Sequence, residues 1–377
     1  MDKKYAEFCK NRRERLSGIL QENKIAAIIL EDTEGKRDTS IRYLTGHPGD
    51  ALLIITAKGE SVLCPWDENM AKQMAVVDKI IPLTKFSRNP IACVKAVLQQ
   101  LDIKTDSKIE ISPATPYPEF LKYVDALAGY NVLCRENSVH NAIISMRAIK
   151  DEYEIDCIRT ASKIADDLLD KIEQQIRSGQ IKTESDVALL IEKECRNAGC
   201  EGTGFETLVA NPSRSFGIHC FPAYTGKDFP CEGLSIIDFG VKYNGYTSDI
   251  TVTFASGNLS EEQEKQLELV QKAYDSALEL YKNGVPIKSP AVKVDSIFAK
   301  AKKHMPHSLG HGIGLEAHEY PVIKASVACE NVFLPGMIVT LEPGLYDAET
   351  GGCRLENDVL ITENGNEVLT HSRIIRL

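Results

Sequence analysis

Two aspartates beside a predicted hairpin turn are the first candidates for chemistry. Asn244 and Gly245 separate two alternating apolar runs, and this dipeptide favours a two-residue type I′ turn. Counting outward from the turn places Gly240 opposite Asp249, and Asp238 lies two residues from Gly240 on the same face. The two carboxylates are therefore diagonal neighbours that can converge on one or two cations. The alternative is that each aspartate only flanks the turn in solvent.

A histidine-rich segment offers nitrogen ligands or acid–base groups. Half of the eight histidines fall between residues 304 and 318. Gly310, Gly312 and Gly314 argue against a helix here and favour a turn or a close approach of the backbone. Neutral imidazole binds divalent metals and transfers protons near neutral pH. The alternative is that His311 and His318 form a surface pair on one face of a helix.

Two segments nearer the C-terminus carry further acidic groups. Glu342 closes an apolar strand and is followed directly by a proline. Arg354 and Glu356 alternate onto one face of the next predicted strand. The alternatives are an exposed acid at a strand end and a surface ion pair, which contributes under about 1 kcal/mol.

The elements that hold these residues divide the chain in two. Short apolar runs at 26–30 and 51–56, separated by turns and helical stretches, predict a small α/β domain over residues 1–137. Residues 138–377 predict a larger α+β domain. Its predicted helices start near residue 149, span 184–198, and begin with a capping box at Ser260 and Gln263.

Composition excludes several classes of function. The net charge of −10, with no basic run, argues against nucleic acid as a partner. No apolar stretch approaches the roughly 20 residues that span a bilayer, so no membrane partner is expected. The charged N-terminus does not resemble a signal peptide. The 11 scattered cysteines contain no C-x-x-C pair, which predicts reduced thiols and a cytoplasmic location.

Taken together, the ordered acids and histidine resemble the pita-bread metallopeptidases, which include methionine aminopeptidase, aminopeptidase P and prolidase. The resemblance covers residues from about 140 to 377. It implies an α+β pita-bread catalytic domain preceded by a smaller creatinase-type α/β domain. It also implies five metal ligands: Asp238, Asp249, His311, Glu342 and Glu356.

Two sequence features select a branch of this family. The Gly-Gly-x-Arg-x-Glu form at 351–356 is absent from the last motif of methionine aminopeptidases. The stretch from Ile41 to Gly46 is similar to the N-terminal domain of aminopeptidase P and prolidase. Creatinase itself is metal-independent, and retention of all five ligands argues against that activity. The chain departs from proline-specific relatives at Val252, where arginine is frequent, and at Cys220.

The resemblance implies hydrolysis of the bond between an N-terminal residue and proline. Two divalent ions are expected, manganese first, with cobalt, iron or zinc as alternatives. Glu342 would carry the proton, His219 and His318 would donate hydrogen bonds to the reacting amide, and His307 would assist proton transfer. Arg354 would bind the terminal carboxylate of the substrate, or else it would hold an acidic side chain that positions the site. The expected partners are a small peptide with proline second and another copy of the chain in a homodimer.

Three other functions compete with this hypothesis. The first is a broader aminopeptidase of the same fold. The second is a creatinase-like amidohydrolase that acts on a substrate other than a peptide. The third is a binding module that has lost catalysis, which would predict eroded ligands, and none of the five is eroded.

Overall fold

The computed structural model describes residues 3–326 and 331–377. The chain separates into two compact units, Met1–Arg147 and Ala148–Leu377. The boundary expected between residues 137 and 138 lies just before the last helix of the first unit. Within the described residues, no helix is both long and apolar enough to cross a bilayer.

The first unit is built on a six-stranded mixed sheet. Its strands are β1 Ala27–Asp32, β2 Ala51–Thr56, β3 Ser61–Pro65, β4 Lys79–Ile80, β5 Lys108–Ile111 and β6 Asn131–Leu133, in the order β4-β3-β2-β1-β5-β6. Its helices are α1 Lys3–Glu22, α2 Ser40–Thr45, α3 Glu68–Met74, α4 Pro90–Gln100, α5 Tyr117–Ala126 and α6 Val139–Ala148, with a 3₁₀ turn at Leu83–Phe86. Strand β2 is buried along its whole length, as expected of a continuous apolar run at the centre of a sheet.

In the described part of the second unit there are four helices and several small sheets. The helices are α7 Glu152–Arg177, α8 Glu184–Asn197, α9 Glu261–Leu278 and α10 Ser289–Lys300. The strands of its first half are β7 Gly202–Thr203, β8 Leu208–Ala210, β9 Gly233–Phe239, β10 Val241–Tyr243, β11 Tyr246–Thr247 and β12 Ile250–Ser256. The remaining strands are β13 Gly310–Gly312, β14 Glu319–Ile323, β15 Ile338–Leu341, β16 Gly344–Asp347, β17 Gly351–Arg354, β18 Asn357–Thr362, β19 Gly365–Val368 and β20 Ile375–Arg376.

Two of these sheets carry the candidate site. One has the strand order β20-β12-β9-β8, and the other has the order β14-β13-β15-β18-β19. Helices α7 and α8 cover the first sheet with a core that includes Ile172, Ile191 and Ile237. Helices α9 and α10 cover the second sheet with a separate core around Val270 and Val339. The opposite face of the first sheet is packed by helices only in part, where Leu234 and Ala255 join the α9–α10 core.

The helix starts follow the predicted capping chemistry. The Ser260 side chain accepts from the Gln263 N–H, and the Gln263 side chain accepts from the Ser260 N–H, so the predicted capping box is confirmed. Helix α9 ends at Leu278, and Tyr281 is buried beyond the helix end. On α7 the buried face includes Ile158, Ala165 and Ile172.

The hairpin that joins β9 to β12 has the predicted register. Asn244 and Gly245 adopt positive φ angles of 49° and 89°, as a type I′ turn requires. Asp238 pairs with Thr251 across the two strands. A Cβ atom at Gly240 would collide with the carbonyl oxygen of Ser248, so the close approach of the two chains needs glycine there.

Substitution of Gly245 by alanine should destabilise the second unit. An L-residue held in the left-handed region costs about 1–2 kcal/mol, because its Cβ crowds the backbone. We therefore expect the Gly245→Ala variant to unfold at a lower urea concentration with an unchanged m-value. Gly365→Ala is the matched control, because Gly365 begins β19 without a positive φ and has open space around it. Equal unfolding midpoints for the two variants would contradict the proposed role of the turn.

Candidate metal centre

Strands β9 and β12 deliver the two aspartates to the same face. Ile237 and Phe239 point into the α7–α8 core, so Asp238, which lies between them, points to the opposite face. Ile250 likewise enters that core, which turns Asp249 to the same side as Asp238. The prediction that the two aspartates share a face of the sheet is therefore confirmed.

The second sheet delivers the other three candidate ligands. His311 lies at the centre of β13, and a bulge follows it before Gly312. Glu342 directly follows β15, and its N–H donates to the carbonyl of Leu309 at 2.9 Å. Glu356 directly precedes β18, and its N–H donates to the carbonyl of Thr251 at 3.1 Å. That bond and the bridge between Thr251 and Glu356 link the two sheets.

All five side chains line one cleft of about 570 Å³. Asp249, His311 and Glu356 each present one ligand atom, and these three atoms lie within 4.8 Å of one another. His311 Nε2 is 3.8 Å from Asp249 Oδ2 and 3.4 Å from Glu342 Oε1. Asp238 Oδ1 is buried and has no hydrogen-bond partner among residues 3–326 and 331–377. A buried carboxylate oxygen without a hydrogen-bond donor is suited to bind a cation.

The electrostatics of the cleft also favour cations. Burial, together with the charges of Glu356 and Asp238, raises the pKa of Asp249 well above its usual value. Burial raises the pKa of Glu342 to about 8, although Arg354 opposes this shift. Burial and the nearby His318 lower the pKa of His311 to about 4, which keeps its imidazole neutral. Four carboxylates and one neutral imidazole are ligands that hard divalent ions prefer. The five residues therefore suit the divalent ions, manganese first, that the sequence predicts.

Three further histidines surround this set. The rings of His311 and His318 have centroids 4.2 Å apart. His307 Nδ1 lies 3.6 Å from Glu342 Oε2, and burial followed by the charge of Arg354 lowers the pKa of His307 to about 4. His219 is exposed at the rim of the cleft. The structure therefore places every predicted acid–base residue in the same cleft as the candidate ligands.

Arg354 is buried among the ligands, with only 2% of its surface exposed. Its Nη2 donates to Asp238 Oδ2 at 2.5 Å, and its Nε donates to Thr251 Oγ1 at 2.9 Å. Its Nη1 donates to the Tyr346 hydroxyl at 2.7 Å and to the carbonyl of Ile218 at 3.0 Å. The prediction that its guanidinium points toward the same cleft as Glu356 is confirmed.

Tyr346 joins this network and was missed by the sequence analysis. His307 Nδ1 is 2.8 Å from the Ser308 carbonyl, which can only accept, so the ring donates through Nδ1. Nε2 of the neutral ring then accepts from the Tyr346 hydroxyl at 3.0 Å. The same hydroxyl accepts from Arg354. The only sequence signal was a tyrosine four residues after Glu342 on a short strand.

Asp358 is a second residue that the sequence analysis missed. Its Oδ2 accepts from the N–H of Asp249 at 3.0 Å, and it lies behind that ligand in a fully buried position. Burial raises the pKa of Asp358 well above its usual value. The alternation of Arg354, Glu356 and Asp358 along one strand face could have identified it.

The two positions that depart from proline-specific relatives lie in different places. Val252 is fully buried in the core beneath β12 and points away from the cleft. Cys220 lines the cleft beside His219, and its thiol donates to the carbonyl of Ala223 at 3.1 Å. Of the two departures, only Cys220 can therefore contribute to the shape of the cleft.

Comparisons with known proteins agree with this geometry. Residues 156–363 match metallopeptidase family M24, and residues 12–149 match the creatinase/prolidase N-terminal domain. The Xaa-Pro dipeptidase of Pyrococcus furiosus is 30% identical over 369 residues, which cover 96% of this chain and 98% of the relative. The Xaa-Pro dipeptidase of Pyrococcus horikoshii is 30% identical over 357 residues, which cover 93% of this chain and 94% of the relative.

Solved structures give the same result for the fold. The X-Pro aminopeptidase of Thermotoga maritima superposes with a TM-score of 0.84 at 28% identity, covering 97% of this chain and 99% of that one. The prolidase of Pyrococcus furiosus superposes with a TM-score of 0.80 at 28% identity, covering 95% of this chain and 99% of that one. The predicted pita-bread catalytic domain and creatinase-type N-terminal domain are confirmed, and the chain belongs to metallopeptidase family M24.

Proposed function

We propose that this protein hydrolyses the peptide bond between an N-terminal residue and proline, with two divalent metal ions held by the five candidate ligands. The observation that carries the proposal is the convergence of four carboxylates and one imidazole in a single cleft. The names of its relatives add the substrate class, because the matched proteins from Pyrococcus are Xaa-Pro dipeptidases.

The chemistry divides between the ions and the side chains. Bound ions would supply the Lewis acidity that activates water and polarises the scissile carbonyl. Glu342 would accept the proton of the attacking water and pass it toward the leaving nitrogen. His219 and His318 would donate hydrogen bonds to the reacting amide, where negative charge develops in the transition state. His307, which is linked to Tyr346, would assist transfer of the proton.

The preference for proline follows from its amide. An Xaa-Pro bond is a tertiary amide without an N–H, so a subsite that relies on that donor cannot hold it. The walls of this cleft include Phe205, Leu208, Ile218 and Phe221, which offer apolar surface to the proline ring. Shape and apolar contact would replace the missing hydrogen bond.

Two roles were open for Arg354, namely binding of the substrate carboxylate and positioning of the metal ligands. Its contacts favour the positioning role. Four of its N–H groups are directed at Asp238, Thr251, Tyr346 and the Ile218 carbonyl. One N–H of Nη2 remains, so holding a substrate carboxylate in two parallel hydrogen bonds would require the guanidinium to release one of these partners. We therefore propose that Arg354 orients the ligands, and that this role is independent of substrate length.

The proposed function also includes a metal ion, a cellular location and an oligomeric state. Manganese is proposed first because the ligand set is rich in oxygen, with cobalt, iron or zinc as alternatives. Ten cysteines are described and all are free, which supports a reducing cytoplasm, while Cys329 lies outside the described residues. A homodimer is proposed from the family resemblance.

The decisive assay compares peptides after reconstitution with manganese. We expect hydrolysis of Xaa-Pro dipeptides or Xaa-Pro-Xaa tripeptides and much slower hydrolysis of Met-Ala-Xaa peptides. Equal rates on all three classes would favour the broader aminopeptidase. Inactivity on every peptide in a metal-loaded sample would favour the creatinase-like amidohydrolase.

Loss of a ligand charge should lower metal content and turnover together. Asp249→Asn keeps the shape of the side chain but removes one anion from the site. Changes around metal sites cost about 10–100-fold even outside the ligands themselves, so we expect a loss of about 100-fold or more. Metal content is measured by mass spectrometry and turnover by peptide hydrolysis.

The control for this experiment is Asp275→Asn, which removes an exposed carboxylate on α9. Chelation of the wild-type protein should abolish activity, and added manganese should restore it. Full activity in a chelated, metal-free sample would contradict the metal-dependent mechanism.

Arg354→Lys should lower kcat equally on dipeptides and tripeptides. Lysine keeps the charge but cannot reproduce the fork that contacts Asp238, Thr251 and Tyr346 together. We expect about a 10–100-fold loss in kcat with little change in KM. The control is Arg373→Lys, an exposed arginine paired with Asp170 and Glu173. A rise in KM confined to dipeptides would instead show that Arg354 binds the substrate terminus.

A further inference from the structure

The segment that carries His219 has little structure of its own. Residues 211–225, here called the His219 loop, follow β8 and contain no helix or strand. The loop contributes His219, Cys220, Phe221, Pro222 and Ala223 to the cleft wall. Its tip projects into solvent, and Phe221 is 95% exposed. Arg354 restrains the tip through the Ile218 carbonyl, and further hydrogen bonds hold the base of the loop.

Both ends of the His219 loop are attached to one buried carboxylate. Glu184 is fully buried at the start of α8. Its Oε1 accepts from the N–H of Asn211 at 2.9 Å, at the beginning of the loop. Its Oε2 accepts from the N–H and the hydroxyl of Thr225, at 2.7 and 2.6 Å, at the end of the loop. A single side chain thus fixes the separation of the two ends.

Arg214 extends this attachment into the loop. Its Nε donates to Glu184 Oε1 at 3.0 Å, which pairs the buried negative charge. Its Nη1 donates to the carbonyl of Pro222 at 2.8 Å, only three residues beyond His219. Its Nη2 donates to the carbonyl of Val209 in β8 at 3.1 Å. The guanidinium therefore connects the base of the loop, its tip and the adjoining strand.

The position of Glu184 is itself well determined. Thr183 and Asp186 form a capping box that fixes the first turn of α8. The positive end of the helix dipole favours a carboxylate there. The N–H and the hydroxyl of Ser185 also donate to the Thr225 carbonyl, at 3.0 and 2.8 Å. The anchor thus rests on a rigid helix start outside the cleft.

We propose that Glu184 and Arg214 are positioning residues, which hold His219 and the apolar wall at the distance from the metal ligands that the reaction needs. Neither residue is among the candidate ligands, and Glu184 does not line the cleft. This inference rests on the proposed function, because it assigns a purpose to the placement of His219. A small displacement of a catalytic group costs about 100-fold in rate, so precise anchoring has a measurable consequence.

The test measures activity, metal affinity and loop order in the same variants. Glu184→Gln removes the charge and one of the two acceptors that hold the loop ends. We expect kcat/KM of the manganese-loaded enzyme to fall about 100-fold, to a level close to that of His219→Ala. Manganese affinity, measured by calorimetry, should stay within about twofold of wild type because the ligands lie on other strands. Cleavage by chymotrypsin after Phe216 or Tyr224, identified by mass spectrometry, should accelerate.

The matched control is Glu192→Gln. Glu192 is also a glutamate of α8 paired with an arginine, Arg196, but both side chains are exposed. This variant should leave all three measurements unchanged. Thr225→Val is a milder second variant, since it removes one hydrogen bond to Glu184 and keeps the ion pair. Thr225→Val should give a smaller loss of kcat/KM, with unchanged manganese affinity and faster chymotrypsin cleavage. It replaces Glu184→Gln in the test if that variant fails to fold.

Two results would overturn the proposal. One is kcat/KM within twofold of wild type in a folded Glu184→Gln or Thr225→Val variant. The other is an equal loss of manganese affinity and activity, which would indicate general damage to the unit.

Failure of the proposed function is detected separately, in the wild type. If the wild type cleaves another N-terminal peptide bond in place of Xaa-Pro, the same variants are compared on that substrate. If it cleaves none, chymotrypsin cleavage decides, and unchanged cleavage of the His219 loop in Glu184→Gln overturns the proposal.

Discussion

The repulsion between crowded and largely buried carboxylates governs the second unit. Asp238, Asp249, Glu342 and Glu356 line one cleft, and within the described part of the chain Arg354 is the one cation of the cleft lining. Arg354 offsets a single negative charge, so the remaining carboxylates must be protonated or must share bound cations. The raised pKa of Asp249 expresses this cost in the absence of an ion. A site of this kind costs free energy to fold unless cations bind to it.

The surrounding architecture follows from that requirement. Each of the two sheets buries one face against its own pair of helices, so the polar faces remain for the ligands. Thr251 connects the sheets at the centre. Its hydroxyl donates to Glu356 at 2.5 Å and accepts from Arg354, and its carbonyl accepts from the N–H of Glu356. The uncharged Thr251 thereby fixes the positions of Glu356 and Arg354 relative to each other.

Much of the site could be predicted because local rules determine it. The Asn244-Gly245 turn sets the register of β9 and β12, and alternation then decides which face Asp238 and Asp249 occupy. The glycines around His311 correctly argued against a helix and for a close approach of the backbone, although the strand β13 was not predicted. These inferences use only neighbours within a few residues.

The rest could not be predicted because it depends on contacts between distant segments. Arg354 reaches Asp238 across 116 positions, and Asp249 meets Asp358 across 109. No periodicity links such pairs. The sequence left the role of Arg354 open between substrate and brace, since both acceptors are carboxylates. In the sequence Glu184 is only the first residue of the helix predicted over 184–198, and only the folded chain brings the two ends of the His219 loop to it.

The attachment of a cleft wall to one outside carboxylate also bears on how such an enzyme can diversify. The ligands are buried between sheets whose backbones approach closely, so almost any replacement there disturbs several neighbours. The tip of the His219 loop has no such burden. Phe221 can be exchanged for residues of other size or polarity while the base remains fixed. Selection can therefore reshape the range of accepted peptides at Phe221 and leave the metal ligands untouched, which separates the evolution of specificity from that of metal binding.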